Sequence, residues 1–211
     1  MRKFIRGVLW IAGFLAVVGL VARVLFVTVW VIPDEPLFAA SVEPSLSGGD
    51  VVLVLTRGSP GFGQLVRCTD PEDPARFVVG RIAGLSSDTV EVDGDVIVNG
   101  KGYPSQQMCL ENPVVITHPR TGGDTKLTCS QVQMGGGWHM RGVAQNPGIS
   151  NRTPTLVGAD QVFIVSDDRT FHDDSRDFGT LPAASCHQQI FFRLWGKGGW
   201  SDDKRRMSYI R

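Results

Sequence analysis

Residues 77–98 read FVVGRIAGLSSDTVEVDGDVIV. Phe77 to Leu85 is a short apolar run bounded by turn residues, the pattern of a buried strand. Thr89–Val92 and Asp95–Val98 alternate apolar and polar side chains, and Asp93-Gly94 between them suits a type I′ hairpin turn. Asn99-Gly100 supplies the next turn. Working outward, Asp50–Leu55, Leu65–Arg67, Val162–Val165 and Ile190–Trp195 read as further core strands. With 25 glycines in 211 residues and no long amphipathic period after residue 32, the chain is read as mainly β.

The N-terminal end is different. Gly7 to Ile32 is apolar apart from Arg23 and the hydroxyl of Thr28. A bilayer core takes roughly 20 apolar residues of helix, so residues 7–32 are expected to form a single transmembrane helix, with Arg23 snorkelling toward one face. Arg2, Lys3 and Arg6 precede the run, while Asp34 and Glu35 follow it. The positive-inside rule then places residues 1–6 in the cytoplasm and the rest outside. A cleaved secretory signal is the alternative. Ala39-Ala40 resembles a cleavage site, but the run is longer than an ordinary signal core, and Pro33-Asp34-Glu35-Pro36 separates the two.

Basic and acidic residues number 21 each, so the net charge is zero. A chain built around nucleic acid is therefore not expected. Residues 37–100 and 155–211 are expected to form one β domain. Residues 101–154, rich in Pro, Gly, Asn and Thr, are expected to form a β-rich insertion, with Trp138 and His139 read as local packing. Cys109 and Cys129 bracket a polar stretch and are the expected disulfide. Cys68 and Cys186 lie in apolar strand patterns and are left open, as buried thiols or as a second pair. No metal-ligand spacing occurs, and no cofactor is expected.

Three segments carry the chemistry. Ser41-Val42-Glu43-Pro44-Ser45-Leu46 follows the apolar run. Gly80-Arg81-Ile82-Ala83-Gly84-Leu85-Ser86-Ser87-Asp88 forms the second. Ser166-Asp167-Asp168-Arg169 through Phe171-His172-Asp173-Asp174-Ser175-Arg176-Asp177-Phe178-Gly179 forms the third. In this order they resemble the signature boxes of type I signal peptidases, the membrane-bound serine endopeptidases of family S26. The resemblance implies a transmembrane helix followed by an antiparallel β catalytic domain, with Ser41 as nucleophile and backbone N–H groups as the oxyanion hole. In bacterial members a desolvated lysine is the base. Here that position is Gly80, and Arg81 beside it cannot lose its proton.

His172 stands where the family carries a serine that bonds the lysine. It is the expected substitute base, reaching the space over Gly80, with Asp174 setting its tautomer. Arg81, Asp167, Arg169, Ser175 and Arg176 are expected to hold the site together. Phe38, Ala39, Val42, Phe77, Val79 and Ile82 are expected to wall the pockets for small residues before the cut. The third box departs from the family pattern Gly-Asp-Asn-Arg by reading Ser166-Asp167-Asp168-Arg169. The implied partners are signal peptides of exported preproteins, the lipid bilayer and the export machinery. The implied location is the bacterial inner membrane, with the β domain on its outer face. The competing expectation, from Gly80, is a non-cleaving relative that binds signal peptides or a partner peptidase.

Overall fold

The computed structural model describes residues 2–145 and 153–210. The last part of the expected insertion, 146–152, lies outside the described residues. The chain opens with helix α1 (Arg2–Phe26) and continues directly into strand β1 (Val27–Val31). The helix was expected to reach Ile32, and this is a correction. Val27-Thr28-Val29 brings β-branched side chains, which favour extended backbone. β1 pairs antiparallel with β2 (Val51–Leu55), from Val27 opposite Leu55 to Val31 opposite Val51. The described apolar side chains of α1 are exposed, Trp10 at 81% and Phe14 at 68%. Among the described residues, no helix is long and apolar enough to cross a membrane.

A short helix α2 (Pro36–Ser41) precedes β2. Then come β3 (Leu65–Thr69), β4 (Phe77–Gly84), β5 (Thr89–Asp93) and β6 (Asp95–Val98). β7 (Lys101–Tyr103), β8 (Ser105–Met108), β9 (Val114–Thr117), β10 (Asp124–Met134) and β11 (Gly137–Ala144) follow. The chain closes with β12 (Thr155–Leu156), β13 (Gln161–Val165), α3 (Ser175–Phe178), β14 (Leu181–Pro182), β15 (Gln188–Trp195) and β16 (Ser208–Tyr209). The described strands make an eight-stranded sheet in the order β1-β2-β15-β3-β4-β13-β14, with β16 beside β15. A hairpin sheet, β12-β5-β6-β7, and an insertion sheet of β8 to β11 complete the fold. The mainly β reading holds.

The period of two along the strands sorts the core. Leu65 and Val79 enter one apolar cluster with Val52, Val54 and Ile190. Their neighbours Val66 and Val78 enter another with Ile82, Val162 and Ile164. The large sheet is therefore covered on both faces. A third cluster joins Ala83 and Val165 to the hairpin sheet through Val90 and Val96, and to the insertion through Val132 and Met134. The Asn99-Gly100 turn has both residues at positive φ, as a type I′ turn requires. The first turn differs from expectation: Asp93 pairs with Asp95, so Gly94 alone sits at the tip at φ 72°.

Both cysteine pairs are joined, Cys109–Cys129 as expected and Cys68–Cys186 as well. The insertion is not an appendage. Gly135, at the tip of the β10–β11 hairpin, lies so close to the Phe62 carbonyl that a Cβ would overlap it.

Candidate active site

Ser41 is the last residue of α2, started by Pro36 at its first turn. It is 1% exposed, and its hydroxyl donates to the Phe38 carbonyl at 2.8 Å. The next two backbone N–H groups, of Val42 and Glu43, both donate to the Ala40 carbonyl. These are the donors an oxyanion hole after Ser41 would use, and they are turned back onto the helix. The Glu43–Pro44 peptide bond is cis.

The three boxes do converge. The Asp168 N–H donates to the Ser41 carbonyl at 3.1 Å. Arg81 on β4 binds Asp167 through two nitrogens at 2.7 and 3.0 Å, and both side chains are 1% exposed. The same guanidinium donates to the Gly63 carbonyl at 3.2 Å. β11 locks the third box from the other side. The Gly142 N–H donates to the Asp167 carbonyl at 2.9 Å, and the Arg169 N–H to the Gly142 carbonyl at 2.8 Å. The insertion therefore forms part of the site, which the sequence reading had placed outside it.

His172 bonds Asp177, not the expected Asp174. A Cβ on Gly80 would stand 3.2 Å from the Ile164 Cβ and 3.2 Å from the Val165 carbonyl oxygen. Ile164 and the Val165 carbonyl thus crowd the space directly over Gly80. The His172 ring bonds Asp177 at 2.7 Å, in a half-exposed pair on the box-three loop. Asp174 does not orient it. Asp174 is fully buried and accepts from the Ser166 N–H at 2.7 Å and from the Arg176 backbone and guanidinium. Burial alone would raise its pKa, but Arg176 and these amides hold it at about 2. Ser175 accepts from the Ile164 N–H at 3.0 Å. Asp174 and Ser175 thus fasten the third box onto β13, and Arg176 ties it back to the Arg169 carbonyl. Arg169 is buried, which lowers its pKa to about 9, and it donates to the Ser166 carbonyl.

Of the expected pocket walls, Phe38, Val42 and Val79 pack together in the core, and Ile82 belongs to the opposite core cluster. They do not line an open groove. Ala39 and Phe77 remain partly exposed. Phe77 and Trp30 flank the Arg67 guanidinium, whose carbon lies 4.3 and 4.7 Å from the two ring centres.

Two carboxyl groups beside Ser41 were missed. Glu43 is pushed up to about 7 by burial, against the hydrogen bond from Ser47 and the charge of Arg205. Asp168 is raised to about 6 by burial, against the amides of Phe171 and Thr170. Its Oδ1 takes those two amides, at 3.1 and 2.7 Å, while its buried Oδ2 has no partner among the described residues. The signal was present in the sequence: Asp168 occupies the position where the resembled pattern has an asparagine.

His139 was also passed over, as local packing. It is 4% exposed, and neither ring nitrogen has a hydrogen-bond partner among the described residues. Burial first, then the charges of Arg81, Arg169 and Arg141, hold its pKa well below 6.5. His118 packs its ring on Phe171 at 4.8 Å, so the insertion touches the third box there too. His187 bonds only the Ala184 carbonyl on the surface.

No curated protein matches this sequence. One family model does, that of signal peptidase, peptidase S26, over residues 7–195. The match runs from the apolar segment to the last long strand and includes all three boxes, whose residues meet around Ser41. This chain belongs to the signal peptidase S26 family of peptidases.

Proposed function

We propose that this chain binds signal-peptide segments of exported preproteins at a membrane surface without cutting them. The observation that carries this reading is the packing of Ile164 and the Val165 carbonyl against Gly80, which crowds the point where a lysine side chain would begin. Two further features support it: the Ser41 hydroxyl is held by the Phe38 carbonyl, and the donors after Ser41 are used by Ala40. The bound segment lies extended beside Ala39 and Phe77, as peptides do when they add to a sheet. Helix α1, whose described apolar side chains are exposed, holds the protein at the membrane. The cations before Gly7 support an N-terminus in the cytoplasm and a β domain on the outer face of a bacterial inner membrane. A partner peptidase or the export machinery would then receive the bound preprotein.

A second reading is favoured by Asp168. A buried carboxylate with one unpartnered oxygen and a pKa of about 6 suits general-base work. If the Ser41 hydroxyl turned from Phe38, Asp168 would accept its proton and Ser41 would attack the substrate carbonyl. The rate would then rise with pH through about 6.

The test is cleavage of a preprotein by the purified full chain in detergent, beside photocrosslinking from the signal peptide. The expected result is a crosslink near Ala39 and Phe77 that survives Ser41→Ala, with no product from either protein. Cleavage lost in Ser41→Ala and reduced about 100-fold or more in Asp168→Asn would replace the first reading with the second. Cleavage lost in Ser41→Ala and His172→Ala would instead restore histidine as the base.

A further inference from the structure

A cavity of about 300 Å³ lies between the large sheet and the insertion sheet, apart from Ser41 and Gly80. Its polar wall comprises His139, Arg81, Arg193, Ser45, Ser208 and Gln131. Its other wall is Trp138, Met140, Tyr209 and Ile210. The volume is at the lower end of the range for small-molecule sites, and about ten times the share of one water molecule.

No carboxylate lines this cavity. The acids that balance its arginines bind them elsewhere: Asp167 takes Arg81, and Asp50 takes Arg193 at 3.1 Å. Each charged group that acts appreciably on His139 is a cation, namely Arg81, Arg169 and Arg141. The last of these is paired with Asp95 on the hairpin sheet. His139 itself is buried, with neither ring nitrogen paired among the described residues. Buried polar groups are normally bonded, so an orphaned imbalance of this kind in a roomy cavity points to a missing partner.

We infer that this cavity binds a small organic carboxylate, with its anionic head on His139 and the arginine side and its apolar body against Trp138, Met140, Tyr209 and Ile210. A cation would find no carboxylate lining the cavity. An uncharged apolar molecule would leave His139 unpaired, and an inorganic anion would leave the aromatic wall uncovered. The inference is independent of whether Ser41 cuts anything.

The probe is sodium benzoate, added to the full chain in detergent with its histidine rings labelled for NMR. The sequence has four histidines, and the His139 signal is identified by its loss in His139→Leu. The expected result is a saturable shift of the His139 signal by benzoate. Benzyl alcohol, with the same ring and no charge, should bind at least about tenfold more weakly, and so should acetate, which lacks the ring. Calorimetry should show the heat of benzoate binding lost in His139→Leu. The Ser41→Ala protein should bind benzoate as wild type does. Benzyl alcohol shifting His139 as strongly as benzoate would overturn recognition of the carboxylate. A His139 signal unmoved by benzoate in the wild-type protein would overturn the site, and that arm needs no variant to fold.

Discussion

Ile164 on β13 lies across Gly80 on β4, so that a Cβ at position 80 would stand 3.2 Å from the Ile164 Cβ. The contact follows from the pairing of the two strands. Phe163 sits opposite Gly84, but the register shifts by one residue before Ile164 meets Ile82. After the shift, Ile164 is opposite Ile82 and its side chain packs on Gly80 two residues away. The glycine at position 80 and the isoleucine packed on it are therefore complementary.

Restoring the lysine alone is expected to fail. Gly80→Lys with His172→Ser should lose about 1–3 kcal/mol of stability, because both close neighbours belong to a packed core and one is backbone. Adding Ile164→Ala should recover part of that loss by clearing the path. Urea midpoints for the two proteins decide it. A Gly80→Lys protein as stable as wild type would show that the site accommodates the side chain.

Glu43 makes stability depend on pH in an unusual direction. Its folded pKa, about 7, lies above the ordinary value of 4.5 because burial penalises the charge. The folded state therefore holds a proton that the unfolded chain releases above pH 4.5. Stability should fall as pH rises from 4.5 to about 7, then level off, by on the order of 3 kcal/mol. Glu43→Gln should remove this slope. Urea unfolding of both proteins at pH 5 and pH 8 measures it, and parallel pH curves would refute it.

The strands were legible in the sequence because their periods were clear. Thr89–Val92 and Asp95–Val98 alternate as they pair, and Asn99-Gly100 forms the expected turn. The helix end was misjudged because an apolar run carries no period. Only the β-branched cluster at Val27 to Val29 marked the change to a strand. The site was legible as a set of boxes, but not as a set of contacts. The pairing of His172 with Asp177 rather than Asp174 depends on α3, four residues long, whose N-cap is Asp174. The packing over Gly80 depends on a register shift that single-strand patterns do not record. Glu43, Asp168 and His139 are chemically unusual because burial shifts their ionisation, and that burial is not written in any motif.

The Arg81–Asp167 pair should behave as a structural unit. Both side chains are 1% exposed and doubly bonded. Asp167→Ala leaves a buried guanidinium unpaired and should cost about 3–5 kcal/mol. Arg81→Met together with Asp167→Leu should cost far less, since no charge remains to be solvated. Guanidinium chloride unfolding of the single and double variants gives the coupling. Additive losses would mean the two side chains act independently.

The two disulfides should differ in weight. Cys68–Cys186 spans 118 residues of chain and Cys109–Cys129 spans 20. Loop-closure entropy gives about 4.7 kcal/mol for a loop near the longer length and about 3 kcal/mol near the shorter. Cys68→Ala with Cys186→Ala should therefore lower the urea midpoint more than Cys109→Ala with Cys129→Ala. The reverse order would place the dominant effect in the folded state rather than in the unfolded chain.

His139→Leu should stabilise the protein. The wild-type imidazole is buried with two unpaired nitrogens, and a buried unsatisfied polar group costs about 1–3 kcal/mol. Leucine covers much of the same space and has no such requirement. The gain should also depend on pH. The folded pKa of His139 lies well below 6.5, so as pH falls through 6.5 the unfolded chain takes up a proton that the folded chain refuses. Wild-type stability then declines from this group alone by up to about 1.4 kcal/mol per pH unit, and the leucine variant escapes that decline. Unfolding curves at pH 7.5 and pH 5 should show the variant ahead at both, and further ahead at pH 5. A variant less stable than wild type at pH 7.5 would mean that the imidazole is bonded in solution, by water or by a ligand already seated in the cavity.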